Sequence, residues 1–164
     1  MFKPNNIDIR EEIKELVLKQ KNKKYVHGRH GLDSFDCAGL VWYVYNEILG
    51  IDLYEIGFGE STTTKMMTST YGKITLYEDN VLEKDLSLLK TGDILFFHRQ
   101  DKDEVIPKVD NKYPGHCGIY LGNNKFIHCT RKRGKVIIND LEKSEYWRKK
   151  LVGSKDVVTY QKRK

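Results

Sequence analysis

Of the three cysteines in this sequence, Cys37 stands where a helix would open: Asp36-Cys37-Ala38-Gly39-Leu40-Val41-Trp42-Tyr43-Val44-Tyr45. Counted from Cys37, the residues Leu40, Val41, Val44 and Ile48 recur at helical spacing and form one apolar face that includes the thiol. Asp36 is a suitable N-cap and Gly50 a suitable terminator, which predicts a helix over 36–49. A thiol in the first turn sees unpaired backbone N–H groups and the positive end of the helix dipole, and both favour the thiolate. That is the setting of a nucleophile. The same stretch also fits a small buried core thiol, and only partners elsewhere in the chain separate the two readings.

A cysteine nucleophile needs a base in hydrogen-bond reach and a third group to orient that base. Among the five histidines, His116 and His128 flank one predicted hairpin, Gly118-Ile119-Tyr120-Leu121, Gly122-Asn123-Asn124, Lys125-Phe126-Ile127-His128-Cys129-Thr130. Side-chain alternation lets the two share a face only if the connection is odd in length, with Leu121 opposite Lys125, His116 opposite Thr130 and His128 opposite Gly118. The histidines are then diagonal neighbours, roughly 7 Å apart. A two-residue Asn-Asn turn would send them to opposite faces. On paper Cys37, His116, Cys117, His128 and Cys129 also resemble a zinc constellation. Adjacent strand residues point apart, however, so at most Cys37, His116 and His128 remain together, and no metal is expected. Cys117 and Cys129 are then small core residues on the other sheet face, and His27, His30 and His98 belong to loops or the surface.

The elements that would hold these groups are mostly legible. Ile9, Ile13, Leu16 and Val17 repeat at helical spacing and predict a first packing helix before the Lys-rich run ahead of Tyr25. Residues 25–34, with two glycines and no period, predict a loop leading to Cys37. Residues 51–90 are weakly patterned, with a Gly57-Phe58-Gly59 turn and a short helix around Met66-Met67. Gly92-Asp93-Ile94-Leu95-Phe96-Phe97-His98 predicts a strand covered on both faces. After a long polar connection from Arg99 to Pro114 and the hairpin, Lys135-Val136-Ile137-Ile138 continues a meander. Leu141 to Trp147 predicts a helical turn, and Asp156 to Tyr160 a last strand. Helices first and an antiparallel sheet second make an α+β domain.

Composition bounds the rest. At 164 residues and 39% hydrophobic content the chain supports one core rather than two. The net charge of +6 suits polyanionic surroundings without choosing among them, and no nucleic-acid motif accompanies it. Three cysteines without scaffold spacing predict free thiols. Met1 to Arg10 is polar and no later stretch reaches spanning length, so a soluble, cytoplasmic product is expected, reaching a wall only by lysis or in a phage particle.

Five blocks in order, Tyr25-Val26-His27-Gly28, Phe35-Asp36-Cys37-Ala38-Gly39-Leu40-Val41, Thr91-Gly92-Asp93-Ile94-Leu95-Phe96-Phe97, Gly115-His116-Cys117-Gly118-Ile119-Tyr120-Leu121-Gly122 and Lys125-Phe126-Ile127-His128, resemble the NlpC/P60 cysteine peptidases. The resemblance implies a papain-like core, one catalytic domain over 1–164, and hydrolysis of an amide bond in peptidoglycan stem peptides, typically between γ-D-glutamyl and a diamino acid. By motif position Cys37 would be the nucleophile, His116 the base and His128 the orienting residue, sharing the Nδ1 proton of His116. Tyr25 would flank the site. Muropeptides would be the partners, the chain a monomer, and no cofactor is implied. An amidase or acyltransferase with another substrate would carry the same triad. The family usually has Ser after the nucleophile. Here Ala38 removes a hydroxyl that helps some members bind the substrate's amino end, and Asp36 is left to meet an ammonium group. The 99–114 connection is expected to border the substrate groove.

Overall fold

The structure, a computed structural model, describes residues 6–59, 61–77, 84–98 and 114–160. The 99–114 connection therefore lies almost wholly outside the described residues. Helix α1 (Asn6–Leu18) buries Ile13 and Val17 completely, as its spacing predicts. Three two-residue strands follow where a plain loop was expected: β1 (Lys24–Tyr25), β2 (His30–Gly31) and β3 (Ser34–Phe35). Helix α2 (Cys37–Leu49) has the predicted limits. Asp36 caps it, accepting from Gly39 N–H at 2.6 Å, and Gly50 ends it in the left-handed conformation, φ 66°. Beyond it come α3 (Thr62–Thr68), β4 (Lys73–Leu76), a 3-10 turn (Leu86–Leu88), β5 (Ile94–Phe97), β6 (His116–Gly122), β7 (Lys125–Thr130), β8 (Lys135–Asp140), α4 (Glu145–Lys150), β9 (Leu151–Asp156) and α5 (Val157–Tyr160).

The strands form one curled sheet in the order β2-β3-β1-β8-β7-β6-β5-β9-β4, antiparallel except for the β1–β3 pair. Its interior strand β5 is covered on both faces, as its apolar run predicts. Ile94 and Phe96 enter the main core with α1 and α2, whereas Leu95 and Phe97 join a second, aromatic cluster with Tyr120, Phe126, Leu141 and Trp147. This is the papain-like α+β arrangement, a helix bearing Cys37 packed on a mostly antiparallel sheet.

Two elements differ from expectation. The last strand is Leu151–Asp156, and Val157 to Tyr160 turn into a short helix whose Thr159 N–H is held by the Asp156 carboxylate at 2.9 Å. Gly153-Ser154-Lys155 hides the strand from a hydropathy reading. Lys155 is nevertheless buried, because its ammonium donates to the carbonyls of Met66, Met67 and Ser69 and to Ser69 Oγ, closing the C-terminal end of α3. Strand β4, its antiparallel partner, has exposed Lys73, Thr75 and Leu76 and carries no strong pattern either. The 141–147 turn is realised as α4, which begins at the Ser144 cap.

Arg10 ties the first helix to the far end of the sheet. Its guanidinium donates to Asp93 at 3.0 Å and Asp156 at 2.8 Å, and to the Thr91 carbonyl, with little solvent access. Burial pushes the Asp93 carboxyl up to about 6 even beside this cation. Arg10→Met leaves two carboxylates facing one another in a nearly dry site. We expect it to cost about 3–5 kcal/mol in denaturant unfolding, whereas the exposed Lys149–Glu145 pair should contribute under about 1 kcal/mol.

Candidate active site

The site begins with a crossing of backbones at the start of α2. Residues Arg29 and His30 pass so close that a Cβ on Gly39 would lie 2.2 Å from the Arg29 carbonyl oxygen, so only glycine fits the third helical position. Asp36 fastens the crossing. One carboxylate oxygen accepts from Gly39 N–H and the other from Gly28 N–H at 3.0 Å, and the Asp36 N–H itself donates to the Arg29 carbonyl. Both oxygens of Asp36 thus accept from backbone, which fixes the carboxylate at the helix start.

The hairpin supplies the histidines by an unexpected route. Its turn is the two-residue Asn123-Asn124, both with positive φ (51° and 65°), and Gly122 rather than Leu121 pairs with Lys125. A β-bulge between Tyr120 and Gly122 then restores the odd register, so Tyr120 opposes Phe126 and Ile119 opposes Ile127. The histidine face survives although the turn has the length expected to destroy it. His116 Nε2 and His128 Nδ1 are 2.7 Å apart, and Gly118, opposite His128, leaves the room: a Cβ there would lie 3.0 Å from the His128 Cβ and 2.8 Å from the Ile127 carbonyl oxygen.

The relay does not stop at His128. His128 Nε2 is 2.7 Å from Asn139 Oδ1, which can only accept, so Nε2 carries the proton and Nδ1 is the acceptor for His116 Nε2–H. His116 is left with Nδ1 for the thiol, the reverse of the nitrogen assignment expected from the family resemblance. Burial, with the His116 charge second, holds His128 well below the ordinary imidazole range, so it stays neutral and keeps this tautomer. The burial is aromatic: Trp147 meets the His128 ring edge-on at 4.8 Å and the His116 ring at 5.5 Å, and Phe126 lies 4.6 Å from His128.

Cys37 is half-buried, and His116 is among the groups that hold down the pKa of its thiol. Its sulfur also meets the Cys117 thiol and the Thr63 hydroxyl, the latter at 3.9 Å. Strand alternation does separate His116 from Cys117. The histidine rings lie against the aromatic cluster, while Cys117 and Cys129 belong to the main core beneath α2. The expectation that Cys37 shares the histidines' face is therefore corrected. It packs on the Cys117 side, and His116 and Cys117 are adjacent as the first two residues of β6. The Cys117 hydrogen bond is the largest influence holding the Cys37 thiol well below its ordinary range; burial opposes it and His116 adds to it. Cys117 is pushed well up, mainly by burial, and remains a thiol.

Of the other expected residues, Tyr25 is in place. Burial and the charges of Cys37 and Asp36 raise its hydroxyl. Ala38 is only 1% exposed and packed in the main core, so its side chain offers a substrate no surface, and the hydroxyl beside the nucleophile comes from Thr63 instead. Tyr54, Thr63, Trp147 and Asn139 were not anticipated. Tyr54 feels Cys117, Asp36 and Cys37, stacks on Trp42 at 6.2 Å, and is raised mainly by burial. A signal for Asn139 existed: Asn139 pairs with Phe126, two residues from His128, and so shares its face. The predicted strand stopped one residue short of it. Among the described residues no cluster of three His, Cys, Asp or Glu is arranged to hold a metal.

Comparison with known proteins places the chain in a family. Residues 22–156 match the NlpC/P60 family, and the chain belongs to that family. It is 30% identical over 141 residues, 85% of its length, to the Escherichia coli protein named "Probable endopeptidase YafL", and 30% over 126 residues, 77% of its length, to "Murein DD-endopeptidase MepH" of the same organism. The alignments cover 47% and 37% of those two proteins, so the chain spans less than half of each. The solved structure of NlpC1 from Trichomonas vaginalis superposes with a TM-score of 0.64 at 24% identity, over 99% of this chain and 47% of that one.

A depressed thiol pKa keeps thiolate present as pH falls below the usual thiol range. The rate of Cys37 alkylation by iodoacetamide should therefore stay high at pH values where an ordinary cysteine has lost it. His116→Ala removes one stabilising partner, so the midpoint of that profile should move to higher pH. Gly118→Ala should separate the two histidines, shift the profile the same way and cost about 1–3 kcal/mol of stability. An unchanged midpoint in His116→Ala would show that the histidine does not reach the sulfur.

Proposed function

We propose that this chain is a cysteine peptidase that hydrolyses an amide bond in peptidoglycan stem peptides. The observation that carries the reading is the ordered line Cys37, His116, His128, Asn139, in which each hydrogen bond fixes the tautomer of the next ring. Family membership and the names of the relatives support the substrate class.

In this reading Cys37 is the nucleophile and His116 the acid–base. His116 Nδ1 takes the thiol proton, and the thiolate attacks the scissile carbonyl. The oxyanion meets the Cys37 backbone N–H at the helix start, with the Tyr25 hydroxyl beside it. His116 then gives its proton to the departing amine, and on deacylation takes one from the attacking water. Neutral His128 accepts from His116 Nε2–H throughout, and Asn139 prevents the His128 ring from turning. The aromatic walls of Trp147 and Phe126 keep this hydrogen bond dry, where it is strongest.

We assign the scissile bond to the γ-D-glutamyl-diamino acid linkage, on the strength of the motif resemblance. MepH is named for a DD linkage, and the products distinguish the two. Incubated with purified muropeptides and followed by mass spectrometry, the wild type should release fragments cut after γ-D-glutamate. Cys37→Ala should abolish that cleavage, and His116→Ala should lower it by about 10²–10⁴-fold. Asn139→Ala should lower kcat more than it raises KM, since Asn139 meets no substrate. Fragments cut between two D-centres would replace the linkage assigned here, and cleavage that survives Cys37→Ala would refute the mechanism.

A further inference from the structure

Cys117 has no part in that mechanism, yet its thiol lies against the nucleophile. It is fully buried at the second position of β6, where any small apolar side chain would fill the space, and α2 packs directly upon that strand. Thr63, buried on α3, places its hydroxyl 3.9 Å from the Cys37 sulfur and also acts on the Cys117 thiol, so two thiols and a hydroxyl are gathered at the helix start. Cys129, the other buried thiol, is occupied differently: its S–H donates to the Phe35 carbonyl at 3.3 Å. Cys37 retains partial solvent access. One sulfur is thus reachable and the other is held against it from the dry side.

We propose that Cys37 and Cys117 form a reversible oxidation site, in which Cys37 reacts with a peroxide and Cys117 captures the product as an intramolecular disulfide. The thiolate of Cys37 attacks one oxygen of hydrogen peroxide and the O–O bond breaks. Cys37 becomes a sulfenic acid, and the departing hydroxide takes the proton of His116 and leaves as water. The Cys117 sulfur then attacks the Cys37 sulfur. The S–O bond breaks, and the Cys117 proton leaves with the hydroxyl as a second water. Two thiols have given two electrons to one peroxide.

The two ionisation states suit these roles. Cys37 has the thiolate character that peroxides select, while Cys117 stays protonated and does not compete for substrate. Conversion of Cys37 to a neutral sulfenic acid removes the charge that the Cys117 proton was stabilising, and that proton becomes free to leave. The disulfide closes the nucleophile and guards it from sulfinic acid, which a thiol cannot reverse.

The test reads sulfur chemistry alone, and its outcome is independent of whether the substrate assigned above is correct. The reduced full chain is treated with hydrogen peroxide, digested without reductant, and examined by peptide mass spectrometry alongside Cys117→Val and Cys129→Val. Wild type and Cys129→Val should yield a cross-linked pair of peptides carrying Cys37 and Cys117. Both should lose iodoacetamide reactivity at Cys37 and regain nearly all of it with dithiothreitol. Cys117→Val also removes a partner of the Cys37 thiolate, so it should react more slowly with peroxide, but once oxidised it should go on to the sulfinic acid at Cys37 and regain little, and Cys117→Ser separates the two effects. Because a core substitution can perturb folding, Cys117→Ser, which keeps size and polarity, is run beside it and should likewise fail to recover. Sulfinic acid at Cys37 in the wild type with no cross-linked peptide would overturn the proposal, as would equal recovery in the wild type and both Cys117 variants.

Discussion

The hydrogen bond between His116 and His128 governs the rest of the site, and it exists through a coincidence of strand register. Two side chains on neighbouring antiparallel strands meet only if the connection between them has the right parity. This hairpin takes the most compact turn available, two asparagines in the left-handed region, which alone would give the wrong parity. One extra residue in β6 corrects it. A bulge of this kind increases local twist, and twist is what a curled sheet needs to bring the first residues of β6 towards the start of α2. The shared face of the two histidines is thus the consequence of one inserted residue.

Burial then turns that geometry into a directional device. An exposed histidine pair would exchange tautomers and titrate near neutrality, and no order of donors would persist. Packed against Trp147 and Phe126, His128 cannot take up a charge, and with Asn139 able only to accept, its single proton has one place to be. The apolar surroundings therefore decide the proton's position, and the amide decides the ring's orientation. His116 inherits both constraints without being locked itself, since its other nitrogen faces the thiol. An acid–base group must be able to change its protonation state while its supports do not, and in the proposed mechanism the two histidines divide those duties.

How much of this could be read in advance depends on how local each cause is. The limits of α2 are written in Asp36 and Gly50, and the two-sided cover of β5 in its unbroken apolar run, because each needs only near neighbours. The cysteine and both histidines could be singled out as candidates because their chemistry is rare and their spacing testable. What escaped depends on distant partners. Strand β9 contains Lys155, which reads as surface until the carbonyl ends of α3, far away in sequence, are placed beside it. Thr63 is one of three consecutive threonines, and nothing in that run says which one meets a sulfur. The side of the sheet on which Cys37 sits was misjudged for a related reason: alternation describes a flat strand, whereas the sheet curls where His116 and Cys117 begin it.

The state of Cys37 follows from a balance among these distant groups. Removing a thiolate from water costs several kcal/mol, and helix-dipole stabilisation in a partly buried position returns about 2 kcal/mol at most. The helix start therefore cannot hold the charge by itself. Hydrogen bonds to a charged group contribute about 1.5–3 kcal/mol each, so two or three of them are needed to reverse the effect of burial. The structure provides three, from His116 and Cys117 on β6 and Thr63 on α3. An aliphatic residue at 117 would pack as well as a thiol but would leave desolvation opposed by only two donors. The reactivity of this cysteine is thus set by how α3 and the curled end of β6 close around the first turn of α2, and α3 is held there by the ammonium of Lys155.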